Sequence, residues 1–298
     1  MADVAVLGTG RMGAHVVRAL RQAGLSVAVW NRTAGRATAL ECAQVTAHPA
    51  AADAVRAAPV VLTCLLDYAA TRRVLETAAE ALPGRLLVQT SCGLPEEAEA
   101  AGAAAEAMGA RYLEAVLLCY PPELGTSRAH VPYAGPRRLY DDAAAVTGAL
   151  GGGVHLGEDL RLVNAYYAAG CAFYYAVVGG ALAAAGLGAA TGLGPEALER
   201  ALAGRLGSLA ETVRECLARI SARSYAVGHT SLRVHHEALG QLADLAGRCG
   251  VDGGFLEALH GRVGEAIALG HDGDHISVLA ERPGGRPGGR GNGREDGR

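Results

Sequence analysis

From Leu162 to Pro195 the chain reads LVNAYYAAGCAFYYAVVGGALAAAGLGAATGLGP, bounded by Arg161 and Glu196 and without one charged side chain. A helix that is apolar all round is either the interior of a large protein or a membrane span. About 20 apolar residues cross a bilayer, so length permits a span. Composition opposes it: Ala, Gly and Tyr stand where Leu, Ile and Phe would supply insertion energy, and Asn164 sits near one end. The run is therefore expected to be a buried helix at a domain junction. Its Gly and Ala positions would admit a neighbouring helix at close range.

A chain of 298 residues, half of them hydrophobic, can bury a full core and favours two domains. The net charge of −3 argues against nucleic-acid binding. The cysteines (Cys42, Cys64, Cys92, Cys119, Cys171, Cys216, Cys249) are scattered, odd in number and never spaced as CxxC. This pattern fits free thiols in a reducing cytoplasm better than disulfides or zinc. MADVAVLG at the start does not read as an export signal. All 27 basic residues are arginine. Lysine general acid-base, Schiff-base and Walker A chemistry are thereby excluded.

The N-terminal half reads as a nucleotide-binding domain. Asp3 to Leu7 is a short strand, followed by Gly8-Thr9-Gly10-Arg11-Met12-Gly13 and the helical pattern Met12, Val16, Val17, Leu20. This is GxGxxG in its strand-turn-helix setting. The first glycine allows the tight turn, the second lets backbone approach a pyrophosphate, and the third lets helix pack on strand. The helix N-terminus supplies its dipole and free N–H groups to the phosphates. A second strand, Ser26 to Trp30, ends at Asn31-Arg32-Thr33, about 20 residues after the first glycine, where an acidic residue would select NAD and an arginine NADP. Arg32, with Asn31, Thr33 and Arg36, therefore predicts NADPH. The alternative for Arg32 is a solvated turn residue.

Further β-α units follow, with strands over Pro59–Leu65 and Arg85–Thr90 and helices over Ala69–Leu82 and Pro95–Met108. Cys64, Leu65 and Leu66, and likewise Thr90, Ser91 and Cys92, end strands, where a doubly wound sheet binds its ligand. They are expected to line the nicotinamide side; plain core packing is the other reading for Cys64 and Leu65. Arg111–Leu118 is a strand leading into Cys119-Tyr120-Pro121-Pro122. Val131–Ala134 and Gly153–Leu156 are the last strands, with a helix over Arg138–Leu150 between them.

Four segments, VAVLGTGRMG with VWNRT, YLEAVLLCYPPELGTSRAHVPYAGP, LGEDLRLVNAYYAAG and GHDGDHISVLAE, together resemble the β-hydroxyacid dehydrogenase (6-phosphogluconate dehydrogenase-like) superfamily, and within it the NADPH-dependent imine reductase branch. The hydroxyacid dehydrogenases carry a Ser-Gly-Gly-type turn where this chain has Tyr120-Pro121-Pro122, and a catalytic lysine on the long helix. By resemblance to the imine reductases, Tyr167 stands at the lysine position. An iminium ion is already positive and accepts hydride without the strong proton donor that a carbonyl needs, so the exchange is chemically coherent. A phenol, with a reference pKa of about 10, can hydrogen-bond or donate to the nitrogen.

Tyr167, Cys171, Tyr174 and Val178 form one helical stripe, with Tyr175 at its edge. Cys92, Leu118, Tyr120, Cys171, Tyr174, Tyr175 and His235 are the candidate substrate residues. Tyr174 reads equally as core, and His235 as a half-buried helix histidine. Cys92 and Leu94 depart from the family's Asn/Thr-Gly-Thr-Pro pattern.

Pro195–Leu202, Ser208–Ile220, Thr230–Cys249 and Phe255–Leu269 read as amphipathic helices. The resemblance implies a domain-swapped homodimer whose clefts combine both chains. His271-Asp272-Gly273-Asp274-His275 imitates a metal loop, but no third cluster accompanies it and no metal is expected. Arg282 to Arg298 has no apolar residue and reads as a disordered, solvated tail; an RGG-like RNA contact is the other reading.

The expected organisation is α/β: a Rossmann domain over 1–157, an interdomain helix over 158–190, a helical dimerisation and substrate domain over 191–281, and the tail over 282–298. The expected function is cytoplasmic NADPH-dependent reduction of cyclic imines to amines, without nucleic-acid or membrane partners. Its rivals are a hydroxyacid dehydrogenase-like carbonyl reductase and a non-catalytic NADP-binding protein.

Overall fold

A computed structural model describes residues 1–151, 153–227 and 229–281; the Arg/Gly tail from 282 onward lies outside the described residues. The first half alternates strand and helix: β1 (Val4–Leu7), α1 (Arg11–Gln22), β2 (Val27–Trp30), α2 (Ala34–Thr38), β3 (Val45–Ala47), α3 (Ala51–Arg56), β4 (Val60–Thr63), α4 (Tyr68–Thr77), β5 (Leu86–Gln89), α5 (Pro95–Ala107) and β6 (Arg111–Ala115). Then come β7 (Val131–Ala134), α6 (Arg137–Asp142), α7 (Ala144–Ala149) and β8 (Gly153–His155). The helical half contains α8 (Arg161–Ala190), α9 (Pro195–Ala222), α10 (Leu232–Cys249) and α11 (Gly254–Ala266). Two compact units divide within α8, between Phe173 and Tyr174.

In the first unit, eight strands form one sheet in the order β3-β2-β1-β4-β5-β6-β7-β8, parallel except where β6 meets β7. The order reverses about β1, as expected for a doubly wound sheet, and the carboxyl ends of β1 and β4 flank the switch point where such sheets bind ligands. Alternate residues explain the apolar strands. Val4 and Val6 enter one core with Val16, Leu20 and Leu113, whereas Ala5 and Leu7 enter the other with Val55, Leu82 and Leu87. Each fully buried Val or Leu side chain contributes roughly 1.5–3 kcal/mol.

Two expectations are corrected. The helix expected over Arg138–Leu150 is broken at Ala143, whose ψ of 5° leaves the helical region between α6 and α7. Ala143 is itself buried in the core, so the bend follows tertiary packing that no Gly or Pro announces. Conversely, the two helices expected over Pro195–Leu202 and Ser208–Ile220 are one, α9. Gly204 and Gly207 lie inside it, and a penalty of about 1 kcal/mol each does not outweigh the Ala, Leu, Arg and Glu around them.

The second unit has a small core of Leu232, Val263 and Val278, with Leu239 and Ile276 packed on it. Gly240 and Gly264 bring α10 and α11 together where the His236 and His260 rings stack, their centroids 4.0 Å apart. His271 Nδ1 lies 2.7 Å from Asp274 Oδ2, and His275 Nδ1 bonds Ser277.

The charge-free run is a helix, long and apolar enough to cross a membrane by length and composition. The burial expected of it is not supplied by the described residues. Val163, Asn164 and Gly188 are its only buried residues, while Tyr175 and Leu182 are 68% and 70% exposed.

Candidate active site

The glycine turn is shaped for a ligand that the chain does not itself fill. Gly8 has φ +104°, and a Cβ there would stand 2.3 Å from the Cys64 carbonyl oxygen, with Leu65 Cδ2 next at 2.8 Å. A Cβ on Gly13 would meet the Gly8 carbonyl at 2.0 Å, so the close packing of α1 on β1 requires glycine. Gly10 differs, because a Cβ there would meet nothing within 4 Å. Its space opens at the N-terminus of α1, where no side chain caps the free N–H groups. Beside it, the Thr9 hydroxyl is buried without a hydrogen-bond partner among the described residues.

The end of β2 completes this cradle. Asn31 Oδ1 accepts the Thr9 N–H at 3.0 Å, and its Nδ2 donates to the Thr33 carbonyl at 3.0 Å, which locks the turn. Arg32, Thr33 and Arg36 are exposed, and among the described residues neither arginine forms an ion pair. Two uncommitted guanidinium groups at this point suit a phosphate. Arg11 is exposed, and Met12 packs on the core. Open space at Gly10, an orphaned Thr9 hydroxyl and free arginines fit a dinucleotide carrying a 2′-phosphate.

The ends of β4 and β5 are stitched together. Thr90 donates to the Thr63 carbonyl at 2.7 Å and Ser91 to the Leu65 carbonyl at 3.2 Å, both residues being buried. Leu66 is exposed. Burial pushes the Cys64 thiol up to about 11, against a hydrogen bond from Thr90. It is a packing residue rather than a ready nucleophile.

Beyond β5 lies Cys92, which reaches the surface. Desolvation raises its thiol and Cys171 pushes it the same way, with the nearby Tyr167 hydroxyl opposing. Tyr167 packs with Leu118 and Leu156 on Val116, Ala134 and Val163. The fold thus brings Tyr167, Cys92, Cys171 and Leu118 together at the carboxyl edge of the sheet. Tyr120 is exposed, its N–H held by Glu123 Oε2 at 2.9 Å. Tyr174, Tyr175 and His235 belong to the second unit. The two tyrosine rings meet edge to face with centroids 5.3 Å apart, and His235 is half-buried with its pKa lowered by desolvation and then by His275.

Two features escaped the reading of the sequence. Tyr166 and His130 share a hydrogen bond of 2.7 Å. Beneath Tyr167 lies a buried polar chain. Asn164 Nδ2 donates to the Tyr68 hydroxyl at 2.6 Å, Tyr68 donates to Glu114 Oε1 at 2.9 Å, and Tyr112 donates to Glu114 Oε2 at 2.6 Å. Burial drives the Glu114 carboxyl up to about 8 against both tyrosine bonds. An acidic residue inside YLEAVLL and an amide inside a charge-free helix were the available signals.

Comparison with known proteins identifies two family domains in the chain. Residues 3–117 match the family described as the NAD binding domain of 6-phosphogluconate dehydrogenase. Residues 159–283 match the C-terminal domain of the NADPH-dependent reductive aminase-like family. An NADPH-dependent reductive aminase of Aspergillus oryzae is 24% identical, covering 93% of this chain and 96% of its own length. The imine reductase from Myxococcus stipitatus, solved with NADP+, is 26% identical with a TM-score of 0.88, covering 93% of this chain and 98% of that one. A reductive aminase from Aspergillus terreus, solved with NADPH and ethyl-5-oxohexanoate, is 26% identical with a TM-score of 0.89, over 94% and 98% of the two chains. Carrying both domains in order, over residues 3–117 and 159–283, the chain belongs to the NADPH-dependent imine reductase branch of the 6-phosphogluconate dehydrogenase-like superfamily.

Proposed function

We propose that this enzyme reduces the C=N bond of cyclic imines and iminium ions to amines, with Tyr167 assisting at nitrogen. The observation that carries the reading is the packing of Tyr167 with Leu118 on Val116, Ala134 and Val163, at the carboxyl side of the sheet, in a chain without lysine. Bound NADPH supplies the hydride. Gly8, Gly10 and the N-terminus of α1 would hold its pyrophosphate, and Arg32 with Asn31, Thr33 and Arg36 its 2′-phosphate. Tyr167 donates a hydrogen bond, and for a neutral imine a proton, to the nitrogen that becomes the amine. An iminium needs orientation only, and a fixed lysine cation beside it would repel it.

Cys92, Leu118, Tyr120 and Cys171, all on the first unit, would wall the substrate. The ketoester held by the Aspergillus terreus reductive aminase supports imines formed from a ketone and an amine as substrates here too. We place the enzyme in the cytoplasm, where its seven unpaired thiols are stable.

The exposed apolar length of α8 supports a homodimer in which a second copy covers the Ala/Gly portion Ala176–Ala190 and completes each cleft. Following NADPH absorbance across a panel of cyclic imines tests the activity. Turnover of several members supports it, and none across a broad panel contradicts it.

A further inference from the structure

Asn164 lies one helical turn before Tyr167 on α8, fully buried beside Val163 while Leu162 and Ala165 are exposed. Residues three apart share a helix face, so whatever fixes Asn164 fixes the direction in which Tyr167 leaves the helix. Its amide nitrogen donates to two partners, the Tyr68 hydroxyl at 2.6 Å and the Leu94 carbonyl at 3.0 Å. The partners belong to different parts of the site. Tyr68 opens α4 and hands the chain of hydrogen bonds to Glu114 on β6, within the sheet. Leu94 is two residues past Cys92, at the cap of α5. One amide therefore ties the helix bearing Tyr167 both to the sheet and to the loop bearing Cys92.

Packing alone does not account for an amide here. The Asn164 Oδ1 atom is buried without a hydrogen-bond partner among the described residues, and an orphaned buried acceptor is destabilising, whereas an apolar side chain on this face would leave none.

We propose that Asn164 is a positioning residue for imine reduction, setting the direction of the Tyr167 side chain by joining α8 to Tyr68 and Leu94. The inference rests on the assignment of Tyr167 as the group that assists at nitrogen. A displacement of about 1 Å at a reacting group can lower a rate by about a hundredfold, so a tie of this kind acts on turnover rather than on cofactor binding.

The test is steady-state kinetics of the full-length enzyme on a cyclic imine that the wild type reduces, comparing N164A, Y68F, Y167F and the double variants N164A/Y167F and Y68F/Y167F. The expected result is a fall in kcat of about ten- to a hundredfold for N164A. NADPH affinity, measured by fluorescence titration, should stay within about twofold. In the Y167F background N164A should lower kcat no further, because coupled residues are not additive. Y68F, which removes a hydroxyl and keeps the ring, should give the same pattern at smaller amplitude and decides the matter if N164A does not fold. Equal losses in both backgrounds, or an unchanged kcat in Y68F and N164A, overturn the proposal. A wild type that reduces no imine, or a fully active Y167F, overturns the assignment of function or of Tyr167 and this proposal with it. Those outcomes are told apart from failure of Asn164 alone, which leaves wild type active and Y167F impaired.

Discussion

The Tyr112 hydroxyl donates to Glu114 Oε2 across 2.6 Å, between two residues of one strand that share a face of the sheet. With Tyr68 on the other oxygen, the carboxyl is fully buried and its pKa is pushed up to about 8 from the reference 4.5, chiefly by desolvation. Below the unfolded value both states hold the proton. Between that value and about 8 only the folded state holds it, so stability falls as pH rises through this window and levels off above it. Glu114→Gln, which keeps the shape and can still bond both tyrosines, is expected to flatten this dependence. Thermal or urea unfolding from pH 5 to 8.5 should show the variant gaining on the wild type by a few kcal/mol, given ~1.4 kcal/mol per pKa unit. Parallel curves for the two proteins would contradict the account.

Gly10 and Gly13 separate binding from folding. A methyl at Gly13 would drive into the Gly8 carbonyl, so Gly13→Ala is expected to destabilise the fold markedly. A methyl at Gly10 meets nothing, so Gly10→Ala should fold with near wild-type stability yet lose NADPH affinity by more than tenfold. Differential scanning calorimetry alongside NADPH titration checks both. Normal NADPH affinity in Gly10→Ala would place the pyrophosphate elsewhere.

Arg32 stands exposed just past β2 and forms no ion pair among the described residues. A charge-assisted bond to the 2′-phosphate contributes about 1.5–3 kcal/mol. Arg32→Ala should therefore raise the Kd for NADPH by about ten- to a hundredfold while leaving NADH within about twofold. Equal weakening of both cofactors would show that Arg32 serves the turn rather than the phosphate.

Tyr167→Phe keeps the ring and removes the donor. If the phenol serves the imine nitrogen, the loss in kcat should grow as pH rises, because the neutral imine then replaces the iminium that needs no proton. A pH profile on one cyclic imine reads this directly. A loss constant across the profile would assign Tyr167 to orientation alone, and undiminished turnover would assign the proton to another group or to water.

How far the sequence could be read depended on how local the cause was. The Gly8-Thr9-Gly10 turn, the Asn31-Arg32 strand end and the strand Val131–Ala134 were legible because neighbouring residues dictate them. The buried chain was not. Asn164 meets Tyr68 across 96 positions and Tyr68 meets Glu114 across 46, and no local period encodes such pairs. Leu118 and Tyr167 were named separately, but their packing together required the fold. For α8, composition predicted an apolar helix correctly, whereas its burial depends on what packs on Tyr175 and Leu182. In α9, continuity through Gly204 and Gly207 overrode a local break signal.

Hydride transfer to carbon of a C=N bond is the central claim, and isotope transfer measures it most directly. The enzyme is incubated with NADPH deuterated at C4, in separate preparations for each face, and a cyclic imine, and the amine is analysed by mass spectrometry and proton NMR. The expected result is one deuterium at the former imine carbon from one of the two preparations, and none at nitrogen-bound or neighbouring positions. Cofactor binding without amine, or amine formed with no deuterium from either preparation, would contradict the account.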